Sequence, residues 1–128
     1  MIIVALILAG LAALLHVYIF YMESIAWTSR RVRAVFGTTE EEAQTTKLLA
    51  FNQGFYNLFL VIAVVLGIVL WLAGRPVVGA TLVFVGAGSM VAAALVLLLS
   101  SKGRGRAALV QGTLPALAII ALAIGLAV

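Results

Sequence analysis

The chain has no cysteine, which excludes disulfides, iron–sulfur clusters and thiolate zinc sites. It has a single histidine, His16, which rules out a multi-histidine haem or metal cage within one chain. Charge is scarce as well. Only 9% of the 128 residues are charged, where a soluble domain carries about 25%. No nucleophile–base pair, phosphate loop or metal motif is visible, so no metal site is expected. What is present in excess is apolar: 66% of the residues are hydrophobic, against roughly 45–50% in a soluble domain. These proportions describe an all-α integral membrane protein of one domain, residues 1–128.

Four apolar spans are expected, at about 2–22, 48–73, 77–99 and 107–128. The first reads as a span rather than a signal peptide, because it has no basic leader and its apolar run is too long. The 8 basic and 4 acidic residues do not form a nucleic-acid footprint, and no nucleic-acid partner is expected. The basic residues sit between spans, where they report topology. Arg30, Arg31, Arg33 and Lys47 fall in or beside the first loop, Lys102, Arg104 and Arg106 in the third, and only Arg75 in the second. The positive-inside rule then places loops one and three in the cytoplasm of a bacterial cytoplasmic membrane, with both termini outside.

The connections have readable chemistry. Gly74-Arg75-Pro76 suits a tight hairpin, with Gly just past one helix and Pro opening the next. Ser100 to Arg106 reads as a short basic turn. Thr39 and Glu42 form a capping-box pattern, and Glu40 to Glu42 favour a helix start. Helix two is expected to begin there and continue into span two. At 1.5 Å per residue it would be about 50 Å long, so its first turns would project into the cytoplasm.

Small residues mark packing seams: Ala5, Ala9 and Ala13 in span one, Gly88 and Ala92 with Gly86 and Ser89 beside them in span three, and Ala108, Gly112 and Ala116 in span four. The same seams are candidate contacts for a homo-oligomer, the expected state of so small a bundle. Pro115 removes a backbone hydrogen bond near Gln111 and predicts a kink.

Polar groups in a bilayer usually face the bundle interior or a water-filled cavity. His16, Phe20, Glu23 and Trp27 fall on one face of helix one. On helix two, Thr46, Gln53 and Asn57 share helical spacing, flanked by Asn52 and Tyr56. Gln111 lies about a turn inside span four. All belong to the cytoplasmic half, with His16 about 10 Å deeper than Glu23. The reading is a polar ligand pocket lined by Asn52, Gln53, Tyr56, Asn57 and Gln111, with His16 and Glu23 as an acid–base or proton-relay pair. Its expected occupant is a small or lipid-like ligand within a shell of membrane lipids. Each member also has a structural reading. Glu23 can pair with Lys47 or the Arg30 to Arg33 cluster. His16 can be a hydrogen-bonded core residue. The amides can be interhelical glue, at about 0.6–2 kcal/mol a pair.

The segment Ala5 to Trp27, with its core LHVYIFYMES, and TKLLAFNQGFYN from Thr46 to Asn57 together resemble a bacterial family known as domain of unknown function 1304. The likeness covers essentially the whole chain, and its motifs contain His16, Glu23, Asn52, Gln53, Tyr56 and Asn57. The family implies no activity. The architecture is also similar to the MAPEG membrane enzymes, which implies a trimer using glutathione. This chain departs from them on helix two, offering Lys47, Asn52, Gln53 and Asn57 where they carry arginine and glutamate beside asparagine. From the residues themselves no cofactor is expected. A third similarity is to small multidrug-resistance transporters, which carry a glutamate within the first span. Three functions therefore stay open: a ligand-binding module, a MAPEG-like enzyme and a proton-coupled transporter.

Overall fold

The computed structural model describes residues 1–100 and 103–128, so Ser101 and Lys102 of the third loop's basic turn lie outside the described residues. Its elements are α1 (Ile2–Phe20), a π-helical turn (Tyr21–Ile25), α2 (Arg30–Phe36), α3 (Glu40–Thr45), α4 (Lys47–Leu72), α5 (Pro76–Ser100) and α6 (Gly105–Ala127). There is no strand among the described residues. Four helical stretches are long and apolar enough to cross a membrane: Ile2–Ile25, Lys47–Leu72, Pro76–Ser100 and Gly105–Ala127.

These four form an up-and-down ring. α1 packs on α4 and α6, α5 packs on the same two, and α1 meets α5 only thinly across the diagonal. The core between them is built from small side chains. Ala5, Ala9, Ala12 and Ala13 of α1 are buried, as are Val61 and Val64 of α4, Val83, Ala87 and Met90 of α5, and Ala118, Ala121 and Leu122 of α6. Small residues let the backbones approach, which is how helices associate where lipid removes the hydrophobic drive. The closest approach is between α4 and α5. A Cβ on Gly79 would lie 2.6 Å from the Trp71 nitrogen, and one on Gly67 would lie 2.8 Å from the Gly79 carbonyl.

The α4–α5 hairpin closes as a Schellman turn. Gly74 has φ 78°. The Arg75 N–H donates to the Leu70 carbonyl at 2.9 Å and the Gly74 N–H to that of Trp71 at 3.1 Å. Pro76 opens α5, where its missing N–H costs nothing.

The first connection is more structured than its sequence suggested. Ser29 caps α2, its Oγ accepting from the Val32 N–H at 3.3 Å, and Gly37 ends that helix at φ 65°. The capping box at Thr39 and Glu42 is formed in both directions. The helix it starts is not continuous with span two. α3 and α4 abut at Thr46, whose φ of −96° and ψ of 2° interrupt the helix. The cause is local. The Glu42 carbonyl accepts from the hydroxyls of Thr45 and Thr46, at 3.0 and 2.6 Å, and from the Thr46 N–H at 3.0 Å. Threonine hydroxyls that bond back to the helix compete with its own ladder.

Two seams are occupied at some of their expected residues and not at others. In α5 it is Gly86, not Gly88, that packs: a Cβ there would lie 2.7 Å from Val64 Cγ2, whereas Gly88 has nothing within 4 Å. In α6 the buried row runs through Ala108, Pro115, Ala118 and Leu122, with Gln111 half-buried between them. The span-one seam and Gly112 of span four are used within the bundle. Ala5, Ala9 and Ala13 are buried inside one chain, and a Cβ on Gly112 would lie 2.8 Å from that of Ala94.

Candidate functional site

The π-helical turn at the end of α1 organises the polar residues. The Ala26 N–H donates to the Tyr21 carbonyl five residues back, at 3.0 Å. One residue is thereby inserted into the helical spacing, and such turns recur at functional sites. Here it directs Glu23, Ser24 and Trp27 toward the end of α3 and the first half of α4. Asn57 Nδ2 donates to Glu23 Oε2 at 2.9 Å. Ser24 Oγ donates to the Phe51 carbonyl at 2.9 Å. Trp27 Nε1 donates to Thr46 Oγ1 at 3.1 Å. Three side-chain bonds thus stitch the end of span one to the start of span two.

Gly54 makes the stitch sterically feasible. A Cβ there would run into Ser24 Oγ and lie 3.1 Å from the Phe20 carbonyl. Phe20 and Phe55 close the apolar side edge-on, with ring centroids 5.2 Å apart.

Beside the stitch a crevice of about 380 Å³ opens, lined by Glu23, Ser24, Ile25, Trp27, Thr28, Gln44, Thr45, Lys47, Leu48 and Phe51. Glu23 and Lys47 share its wall without forming an ion pair. Among the described residues the ion pair is Arg33 with Glu40, at 3.4 Å, joining α2 to α3. Neither of the structural pairings expected for Glu23 is formed; its partner is Asn57. Outside the spans, the Glu42 carboxyl is held below the usual glutamate range, first by the hydrogen bond from the Thr39 backbone.

A second, larger cavity of about 610 Å³ lies on the other side of α1, between α1, α2 and α6. Leu15, Ile19, Met22, Phe36 and Val110 line it, with Gln111 in its wall and Arg104 and Arg106 at the basic end.

The polar residues singled out from sequence are therefore divided. Glu23 and Asn57 meet. Gln111 belongs to the other cavity, because the ring order puts α4 and α6 on different sides of α1. His16 is 2% exposed, and its Nδ1 donates to the Ala12 carbonyl at 2.8 Å, one turn back. It shares no hydrogen bond with Glu23 among the described residues. Asn52, Gln53 and Tyr56 are exposed on the surface of α4. No group of three or more His, Cys, Asp or Glu side chains is placed to hold a metal among the described residues. Ser24 is the participant that sequence reasoning passed over. Its signal was Gly54, a residue with no side chain in the middle of a motif otherwise rich in large ones.

A family model described as "Protein of unknown function (DUF1304)" matches residues 10–123. No curated protein and no solved structure matches the chain.

Proposed function

The chain belongs to the DUF1304 family of proteins of unknown function, and for this member we propose ligand binding in the membrane, at the crevice beside the π-helical turn. The ligand is a small amphiphile with a zwitterionic headgroup. The observation that carries this reading is the pairing of opposite charges on one wall: Glu23 and Lys47 face the same 380 Å³ space and are not bonded to one another. A cationic group on the ligand satisfies the carboxylate, an anionic group meets the ammonium, and Thr28, Gln44 and Thr45 supply further hydrogen bonds. Ile25, Leu48 and Phe51 receive an apolar tail. Asn57 holds the Glu23 carboxyl in place from behind.

The charge asymmetry of the loops supports a cytoplasmic position for this end of the bundle. Binding is favoured over the acid–base reading because His16 spends its Nδ1 proton on Ala12 and, among the described residues, shares no hydrogen bond with Glu23. Glutathione, with two carboxylates, meets a single cation here among the described residues, Lys47.

Native mass spectrometry of the protein released gently from its own membranes tests the proposal. A retained added mass is expected, lost in both Glu23→Gln and Lys47→Gln and kept in Gln111→Ala. An adduct indifferent to Glu23 and Lys47, or removed by Gln111→Ala alone, would overturn it.

A further inference from the structure

The outer surface of α4 has an arrangement that a monomer leaves unexplained. Leu49, Asn52, Tyr56, Phe59, Ala63 and Leu66 follow alternating steps of three and four residues, the spacing of a coiled-coil seam. All are exposed except Ala63, which is half-buried, and Tyr56 is 63% exposed. Gln53 adjoins the row and is exposed too. The apolar stripe contributes nothing to the ring, whose α4 contacts run through Ala50, Gly54, Val61, Val64 and Gly67.

The depth of the amides gives the seam its meaning. Exposed Leu48 and Leu49 lie before them and exposed Phe59 and Ile62 after them, so Asn52 and Gln53 interrupt an apolar band rather than lying beyond it. Hydrocarbon offers an amide no hydrogen-bond partner. An amide is both donor and acceptor, so the group that satisfies it best at a fixed depth is another amide. Every copy of the chain carries the same charge asymmetry and inserts in one orientation, so an axis relating copies runs along the membrane normal. α4 then meets α4 in parallel, and each residue meets its own counterpart at the same depth. A single asparagine in such a seam sets register.

We propose that the Leu49 to Leu66 face of α4 binds a second copy of the chain, parallel and in register, with Asn52 and Gln53 hydrogen-bonded to the partner's amides. The interface uses none of the small-residue rows expected to mediate it; Ala5, Ala9 and Ala13 of α1 are spent inside the bundle. It is independent of the ligand proposed above.

The absence of cysteine makes the test clean. Leu49→Cys and Phe59→Cys keep both amides, while Val85→Cys and Val96→Cys place the thiol on exposed positions of α5. Oxidative or short bis-maleimide cross-linking in native membranes should give a species of twice the chain mass for the first two and not for the second two. Equal yields at all four positions, no product at the α4 positions, or a product containing a different protein would overturn the proposal. In the Phe59→Cys background, Asn52→Leu with Gln53→Leu should abolish the cross-linked species. Undiminished yield there would overturn the role of the amides.

Discussion

Asn57 and Glu23 lie 34 positions apart in the chain, yet the Asn57 amide nitrogen is 2.9 Å from a Glu23 carboxyl oxygen. The same amide nitrogen is 3.2 Å from the Gln53 carbonyl within its own helix. A half-buried carboxyl is thus held by an asparagine that α4 itself orients.

Replacing Asn57 with leucine leaves that carboxyl oxygen without its donor. An unmade hydrogen bond of this kind costs about 1–3 kcal/mol. Asn57→Leu should lower the thermal midpoint in detergent and weaken retention of the ligand, whereas Asn52→Leu should leave ligand retention unchanged. Thermal unfolding and native mass spectrometry on the two variants check this.

Gly54→Ala drives a methyl group into Ser24 and against the Phe20 carbonyl. Overpacking of this kind costs typically about 1–3 kcal/mol. Adding Ser24→Ala removes the hydroxyl collision while the 3.1 Å approach to the Phe20 carbonyl remains, so it should restore part of the loss. A double variant no more stable than Gly54→Ala alone would show that the hydroxyl is not the obstacle.

Two glycines of α5 should respond in opposite directions. Gly79→Ala sets a Cβ 2.6 Å from backbone of α4, which cannot swing away, and should destabilise the hairpin. Gly88→Ala meets nothing within 4 Å and should gain up to about 0.5–1 kcal/mol from restricted backbone freedom. Unfolding midpoints of the two variants provide the comparison.

The Thr39 capping box should be sensitive to acid. The Glu42 carboxyl titrates below its ordinary value of 4.5, its hydrogen bonds from Thr39 favouring the charged form. A value lower in the folded chain than in the unfolded one means stability present above pH 4.5 and lost as pH falls through the depressed value. Hydrogen-exchange protection factors at the start of α3, taken against the intrinsic rate at each pH, should therefore fall in acid, and Glu42→Gln should abolish that dependence.

The features legible in the sequence were those written locally. Hydropathy gave the four spans, Gly74 and Pro76 gave the hairpin, Thr39 and Glu42 gave a cap, and four-residue spacing gave the Ala5, Ala9, Ala13 row. The division of the polar residues was partly legible. Asn52 and Asn57 are five positions apart, which on a helix is about 140° of rotation, so they could not share a face. The place of Gln111 was not legible, because hydropathy does not say in which order four helices surround a core. Nor was the π-helical turn: nothing in Tyr21-Met22-Glu23-Ser24-Ile25 distinguishes it from ordinary helix, and it is stabilised by partners more than twenty residues away. The break at Thr46 had a signal, two adjacent threonines five and six residues after the helix start at Glu40.

Gly125 packs against Ile2, a contact spanning almost the whole chain. It has a kinetic consequence. The α4–α5 hairpin, joined by a tight turn, pays little loop-closure entropy and can dock as soon as both spans are in the bilayer. The α1–α6 contact pays the most and waits for the last span to be made. Until then the Ala5, Ala9, Ala12, Ala13 face of α1 lies half uncovered. The window between insertion of α5 and arrival of α6 is when a newly made chain is most open to mispairing with a neighbour.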